Sequence, residues 1–180
     1  CGMGDHEDTE KIACMVMEKA EKPVIVDADG INVLSRHIDI MKRAKAPLIL
    51  TPHPGEMARL TGKTVAEVQE NRLETAQEAA RELGAVIVLK GAHTLIAAPD
   101  AAVSVNLTGN AGMARGGSGD LLAGMIASFA AQGMPPFQAA VSGVHLHGLA
   151  GDRTAERLSM QGMLPSDMLQ ELPMLFNLNA

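Results

Sequence analysis

A glycine-rich segment at residues 110–120 contains the residue types best suited to phosphate chemistry. Gly116, Gly117 and Gly119 permit positive φ and let a ligand approach the backbone closely. The apolar run that follows predicts a buried helix, whose N-terminal N–H groups favour phosphate. Asp120, in its first turn, could accept a proton from an attacking hydroxyl while backbone amides hold the transferred phosphoryl group. A simple helix cap is the alternative, but three glycines directly before a buried helix favour the phosphate site.

A second candidate is His53, which lies between Pro52 and Pro54. Both prolines fix their own φ, and Pro54 also pushes His53 towards an extended conformation. The imidazole would therefore sit in a stiff turn and could present a hydrogen bond to a ligand. The same residues could equally form a rigid connector that begins a helix at Pro54, and the pattern alone leaves both interpretations open.

Charged residues also follow two predicted strands. Lys90 could neutralise a nucleotide phosphate, although a lone lysine is usually an ordinary solvated side chain. Asp27 and Asp29 could bind Mg²⁺ through water or position a substrate hydroxyl. Alternatively, either carboxylate could cap the turn at Gly30.

The histidines and cysteines do not form a metal-binding pattern. His145 and His147 are two residues apart on a predicted helix, so they point in different directions and are interpreted as structural. Cys1 and Cys14 fit neither a metal spacing nor a disulfide framework, which is compatible with a reducing cytoplasm. We therefore predict no metal site built from protein ligands alone.

Short apolar runs alternate with amphipathic stretches and predict an α/β fold. Strands are expected at 24–27, 48–51 and 86–89, followed by a pair at 93–97 and 103–106 with a turn at Pro99-Asp100. Helices are expected at 9–21, at 64–83, at 120–131 and at 136–150, with Gly151 beyond the end of the last. Right-handed crossovers would bring the polar strand ends to one edge of a mainly parallel sheet.

The bulk properties describe a single globular domain over residues 1–180. Hydrophobic residues make up 47% of the chain and charged residues 20%, and the aromatic residues are three Phe without Tyr or Trp. The net charge of −6 gives no electrostatic attraction to nucleic acid or to an anionic membrane. There is no apolar run of the ~18 residues that span a bilayer and no signal peptide, so a cytoplasmic protein is expected. The opening Cys-Gly-Met-Gly looks like the continuation of something longer.

Taken together, these segments resemble the NAD(P)H-hydrate dehydratase family, and the resemblance runs over essentially the whole chain. The Gly-Asp end of the glycine segment is shared with ribokinase-like kinases in general. The block at 51–56, together with Gly112-Met113-Ala114, is what separates the dehydratases from those kinases. The segments that carry the resemblance are Asp27-Ala28-Asp29 with Asn32, Thr51-Pro52-His53-Pro54-Gly55-Glu56, Leu89-Lys90-Gly91 and the stretch from Gly112 to Asp120.

The resemblance implies a ribokinase-like three-layer α/β/α fold, a reaction and a site. Hydrated NADH or NADPH would be phosphorylated on its ring hydroxyl by ADP or ATP, with Mg²⁺, and loss of phosphate would restore the nicotinamide. The implied catalytic residues are Asp120, Gly117 and Gly119. The hydrated dinucleotide would be bound by Gly2, His53, Asn110 and Asp120. The adenine nucleotide would be bound by Lys90, Gly91, Ala92, His93, Thr94 and Gly119, and relatives assemble into homo-oligomers.

The chain departs from the family pattern at few positions. Gly30 and Ile31 stand where the family often has Ala and Leu, and Cys1 stands where Pro is usual. Family members also have a preceding segment that supplies sheet strands and part of the substrate pocket. A sheet without those strands is expected to expose an edge. Two other functions remain alternatives: a kinase acting on a thiazole or pyrimidine alcohol, and a non-catalytic nucleotide-binding or assembly module.

Overall fold

Five strands form one sheet in a computed structural model that describes residues 1–177. The first three strands run parallel, and the last two form a hairpin that continues the sheet antiparallel. The strand order in space follows the order along the chain. The strands are β1 Val24–Val26, β2 Leu48–Leu50, β3 Val86–Leu89, β4 Leu95–Ala97 and β5 Ser104–Val105. All five lie where the sequence predicts strands, with ends shorter by one or two residues except at β3.

Helices precede, connect and follow these strands. In chain order they are α1 Glu7–Lys19, α2 Asp29–Leu34, α3 Ile38–Lys42, α4 Pro54–Thr61, α5 Val65–Glu70, α6 Arg72–Leu83, α7 Ser118–Ala131, α8 Pro136–Gly162 and α9 Pro165–Asn177. A short 3₁₀ turn, Ala111–Met113, precedes α7. Within residues 1–177, none of the helices is long and apolar enough to cross a membrane.

The sheet is buried on both faces, which confirms the three-layer architecture. Leu50 and Ile87 belong to a core shared with the helices that come before β3. Ile49 and Val88 point to the opposite face, into a second core with Ile126 of α7. Because neighbouring residues on a strand alternate between faces, a strand with helices on both sides has to be apolar throughout. The polar groups are therefore left at the strand ends.

Two helix predictions were wrong. The single helix predicted at 64–83 is divided into α5 and α6, because Asn71 leaves the helical region with φ −127° and ψ 44°. The helix predicted to end at 150 continues to Leu158, and after a break at Ser159 (φ 66°, ψ 159°) the helical segment runs on to Gly162, so Gly151 does not stop it. Gly151 is instead buried against the side chain of Met113.

Gly148 and Gly151 let the segment before the glycine loop lie directly on α8. A Cβ on Gly148 would stand 2.1 Å from Thr108 Oγ1 and 2.7 Å from the Thr108 carbonyl carbon. A Cβ on Gly151 would stand 2.3 Å from Met113 Sδ. The surface of α8 is therefore formed by glycines where the chain crosses it, and a side chain at position 148 would displace the Thr108 backbone.

Gly148→Ala is accordingly expected to lower the free energy of unfolding by about 1–3 kcal/mol, because Thr108 backbone has to move. Gly124→Ala in α7 is the control, since an added Cβ there meets nothing within 4 Å. That control should be neutral or stabilising by up to about 1 kcal/mol, through the better helix propensity of alanine. Urea unfolding of both variants measures the difference, and equal effects would contradict the packing argument.

Candidate functional site

The carboxyl ends of β1, β2 and β3 bring an ion pair together at one edge of the sheet. Asp27, just after β1, accepts hydrogen bonds from Lys90 Nζ and from Thr51 Oγ1, both at 2.7 Å on Oδ1. Lys90 Nζ also lies 3.7 Å from Glu56 Oε2. One ammonium group thus stands between two carboxylates, as the parallel arrangement of these strand ends allows.

Asp27 is ionised in this setting. The side chain is only 5% exposed, and burial by itself would raise the pKa of the carboxyl. The hydrogen bond and the positive charge of Lys90, with the hydroxyl of Thr51, outweigh burial and hold the pKa of Asp27 below its ordinary value. Lys90 is therefore a partner of a buried carboxylate and not an ordinary solvated lysine.

The Pro-His-Pro turn begins α4 and presents the imidazole. His53 Nδ1 accepts hydrogen bonds from Gly55 N at 2.9 Å and Glu56 N at 3.3 Å, and Glu56 Oε2 accepts one from His53 N at 2.8 Å. Because Nδ1 is an acceptor, the proton of the neutral ring is on Nε2. The side chain is 52% exposed and its Nε2 lies 3.3 Å from Glu56 Oε1, so a ligand that reaches this N–H has to share it with that carboxylate. The turn is thus both a helix start and a rigid support for a donor.

Arg72, which sequence reasoning missed, fixes the turn that follows β3. The guanidinium of Arg72 donates to the carbonyls of Ala92 at 2.6 Å and Leu89 at 3.2 Å, and burial lowers the pKa of Arg72. Gly91 has φ +147°, and a Cβ there would stand 3.0 Å from the nearest guanidinium nitrogen of Arg72. Nothing in the sequence distinguishes Arg72 from the solvated charges on the same predicted helix, so only the fold reveals it.

The predicted nucleotide turn at residues 90–94 is held from within as well. Lys90 N donates to the Pro52 carbonyl at 2.8 Å, and Thr94 Oγ1 donates to the Gly91 carbonyl at 3.0 Å. His93 adopts a left-handed φ of 54°. Ala92 and His93 are exposed at the outside of the turn. The turn is therefore ordered by protein contacts alone.

The glycine loop meets this edge at the start of α7. Gly117 has φ +92° and lies at the N-cap, where no side chain caps the helix. A Cβ on Gly119 would stand 3.4 Å from Asp27 Oδ2 and 3.6 Å from Lys90 Nζ. The loop thus brings the first-turn amides of α7 next to the ion pair, where a Cβ on residue 119 would be in van der Waals contact with Asp27 and Lys90.

Asp120 is exposed in the first turn of α7. Within residues 1–177, its carboxylate makes no hydrogen bond or ion pair. The interpretation that Asp120 merely caps the helix is therefore wrong for this structure. A free carboxylate beside uncapped helix amides is suited to accept a proton from a group bound at those amides.

The structure places the remaining predicted residues around this cluster. Cys1, the neighbour of Gly2, has its Sγ 3.4 Å from Asp27 Oδ2, so the chain start lies at the ion pair. Asp29 does not cap the turn at Gly30 and instead accepts a hydrogen bond from Gly4 N at 2.9 Å. Asn110 is joined to α8 and not to the ion pair. Across residues 1–177, no three His, Cys, Asp or Glu side chains form a group that could hold a metal ion.

His145 and His147 differ as their spacing predicts. His145 is exposed, whereas His147 is buried with Nε2 3.4 Å from Ser118 Oγ at the start of α7. Burial lowers the pKa of His147 to about 4, against a smaller opposing contribution from a hydrogen bond to Ser118 backbone. His147 is therefore neutral and packs against Ser118 at the end of the glycine loop.

This shift predicts a loss of stability in acid. The unfolded state binds a proton at His147 near pH 6.5 and the folded state only near pH 4, so stability falls as the pH drops through that window. The loss should approach about 3 kcal/mol at the acid end. In His147→Gln, which does not titrate, this part of the pH dependence should disappear. Urea unfolding across the window measures it, and parallel curves for the two proteins would rule it out.

A cavity of about 250 Å³ lies beside the nucleotide turn. It is lined by residues 104–108 together with Ile96, Val141 and His145. Asn106 N donates to the Thr94 carbonyl at 2.9 Å, which places the cavity next to the end of that turn. The lining is mainly apolar, and the cavity is partly open to solvent.

The chain is similar to known proteins over nearly its whole length. The family model described as NAD(P)H-hydrate dehydratase matches residues 1–174. A bifunctional NAD(P)H-hydrate repair enzyme Nnr of Moorella thermoacetica is 46% identical over 172 residues, which are 96% of this chain and 32% of that protein. The chain therefore spans about a third of the length of that relative.

Two solved structures have the same fold. The ADP/ATP-dependent NAD(P)H-hydrate dehydratase of Bacillus subtilis, co-crystallised with ATP and Mg²⁺, superimposes with a TM-score of 0.87 at 36% identity. A ribokinase-like superfamily protein of Enterococcus faecalis superimposes with a TM-score of 0.87 at 32% identity. Both comparisons cover 99% of this chain, and 62% and 61% of the other chains respectively.

Proposed function

Because this chain belongs to the NAD(P)H-hydrate dehydratase family, we propose that it converts hydrated NADH or NADPH back to NADH or NADPH at the expense of ADP or ATP. The observation that carries the proposal is the unpartnered carboxylate of Asp120 in the first turn of α7, next to helix amides that no side chain caps. Residues 1–180 would act as a single ribokinase-like catalytic domain.

The proposed reaction has two steps. The ring hydroxyl of the hydrated nicotinamide attacks the terminal phosphorus of the nucleotide, and Asp120 takes the hydroxyl proton. A new C–O–P link forms as the bond to the nucleotide breaks, which leaves AMP from ADP or ADP from ATP. The ring then loses phosphate and a proton from the neighbouring carbon, and the double bond returns. No oxidant or reductant is required.

The glycine loop would hold the phosphoryl group during transfer. The amides of Gly117 and Gly119 lie at the positive end of the α7 dipole, which stabilises negative charge. Lys90 adds an ammonium group close to Gly119. Its pairing with Asp27 keeps that group in place while its remaining N–H bonds stay available to phosphate.

The adenine nucleotide would bind along the turn at residues 90–94, and its base would enter the cavity beside Thr94. Mg²⁺ fits as a companion of the phosphates, since Asp27 and Glu56 offer the oxygen donors that it prefers. When bound, the ion would neutralise phosphate charge. Lys90 already stands between these two carboxylates, which supports contact through water and not a cage of protein ligands.

The hydrated dinucleotide would bind beside the ion pair, near the His53 turn and the chain start. The imidazole of His53 is held in a rigid turn, half exposed and with Nε2 3.3 Å from Glu56 Oε1, so a ligand would share that N–H. Gly2, with φ +67°, lies beside the Cys1 that contacts Asp27. The sequence also predicts Asn110 in this group, but both ends of its carboxamide are held by protein groups, which supports a role in ordering the loop instead. A homo-oligomeric assembly and a cytoplasmic location also remain predictions.

A time course of NADH absorbance, started from hydrated NADH with Mg²⁺, tests the proposed function. We expect absorbance to return with ADP or ATP and not without a nucleotide, and the faster nucleotide identifies the preferred donor. A stable phosphorylated alcohol as the product would instead identify a small-molecule kinase. Nucleotide binding without any turnover would instead indicate a non-catalytic nucleotide-binding module.

A further inference from the structure

Asp152 of α8 binds the segment that precedes the glycine loop at two adjacent points. Its Oδ2 accepts a hydrogen bond from Gly109 N at 2.8 Å, and its Oδ1 accepts one from Asn110 Nδ2 at 2.9 Å. Gly109 has φ +100°, a conformation that glycine adopts without strain. A single carboxylate therefore fixes both the backbone and the side chain of this segment.

The carboxamide of Asn110 is held at both ends. Its nitrogen faces Asp152, while its oxygen accepts a hydrogen bond from Gly112 N at 3.0 Å in the 3₁₀ turn. A reversed amide would place an oxygen against the Asp152 carboxylate and an NH₂ group against the Gly112 N–H. Only one orientation satisfies both partners, so the pair sets the path of residues 109–113.

The same helix also contacts the two ends of this connection. At the near end Thr108 Oγ1 donates to the His145 carbonyl at 3.0 Å, and at the far end Ser118 contacts the buried His147. Both ends of the connection from β5 to α7 are thus held by contacts with residues of α8. Asp120 lies two residues beyond Ser118, so its position relative to Asn110 depends on these contacts.

We propose that Asn110 and Asp152 form a positioning pair for the glycine loop, through which α8 sets the placement of the first turn of α7 and of Asp120. Asp152 touches neither reactant. Asn110 acts through its contacts with Asp152 and Gly112, and its carboxamide is not required for recognition of the hydrated ring. This inference rests on the proposed function, because the loop matters as the phosphoryl site.

An exchange of the two side chains tests the pair. In Asp152→Asn, an NH₂ group opposes the Asn110 NH₂ group; in Asn110→Asp, two carboxylates oppose each other. Together the changes restore a complementary pair, since the new carboxylate can accept from Gly112 N and from the new amide, whose oxygen can accept from Gly109 N. Turnover of hydrated NADH with ADP is measured with hydrogen exchange at residues 109–120.

Each single variant is expected to lower kcat by about tenfold to a hundredfold, as small misplacements of catalytic groups do, with KM for ADP within about threefold of the original. Exchange at residues 109–120 should accelerate in both single variants. The double variant should regain kcat to within about threefold and recover protection, which a loss of general stability would not produce.

A double variant that unfolds, or that recovers loop protection without turnover, would overturn the proposal. The second result would mean that the Asn110 carboxamide contacts the substrate. Wild-type kinetics in Asp152→Asn would overturn it as well. If the unaltered protein itself returns no NADH, the proposed function has failed, and hydrogen exchange alone then decides whether the pair orders the loop.

Discussion

Asp120→Asn is expected to lower kcat for the return of NADH by about a hundredfold to ten-thousandfold, the range associated with the loss of a general base. The exchange preserves volume and removes only the ability to take the proton. Because Asp120 has no hydrogen bond or ion pair within residues 1–177, the folded state loses only the interaction of its charge with the α7 dipole, about 0.3–1 kcal/mol. The variant should therefore unfold at a urea concentration close to that of the unaltered protein.

Nucleotide affinity separates a base from a binding group. Asn at position 120 removes a negative charge beside the predicted phosphate site, so ADP should bind as tightly as before or more tightly. Asp100→Asn is the matched control, since Asp100 is exposed at the turn between β4 and β5, away from the strand ends that carry the ion pair. Turnover by Asp120→Asn at the rate of this control would remove Asp120 from the mechanism.

The second large effect is expected at the buried ion pair. Lys90→Met keeps the aliphatic length of the side chain but leaves Asp27 buried without its counter-charge. Removal of one partner from such a pair costs on the order of 3 kcal/mol, since the remaining carboxylate must lose its charge or gain water. The pKa of Asp27 should rise, because burial then acts without opposition. Affinity for ADP should also fall with the loss of the ammonium group.

The double variant Asp27→Asn with Lys90→Met separates these two effects. It removes the unpaired charge and should recover most of the folding free energy, while ADP binding should remain weak. Lys63→Met provides a surface control, because the Lys63–Glu78 ion pair is exposed and contributes little. Urea unfolding and calorimetric titration with ADP measure the two quantities. A double variant as unstable as Lys90→Met would contradict the counter-charge argument.

The strands and the glycine loop are predictable because local signals coincide there with the fold. A strand covered on both faces must be apolar, so β1, β2 and β3 stand out as compact hydrophobic runs. Of the glycines at the start of α7, Gly117 has the positive φ that other residues rarely adopt, and a Cβ on Gly119 would lie 3.4 Å from Asp27 Oδ2.

Other features depend on partners distant in the sequence. The helices α2 and α3 are too short to show a period, and α9 was not predicted. Gly151 resembles a helix terminator, yet its role is to accommodate Met113, some forty residues earlier in the chain. Arg72 and Asp152 look like surface charges until the fold brings them to the Leu89 carbonyl and Gly109 N. Sequence patterns report local conformation, and these contacts are not local.

The order of the strands has a consequence for synthesis. Since β1 to β5 lie side by side in the order in which they are made, each strand can pair with the one before it as it leaves the ribosome, so the sheet can grow in the direction of translation. The helix α7 departs from this order of assembly, because it follows β5 in the chain but its Gly119 lies beside Asp27, which follows β1. The proposed phosphate site can therefore form only once α7 has been made, and a chain stopped before residue 118 would lack both that site and the helices α7 and α8 that cover the second face of the sheet.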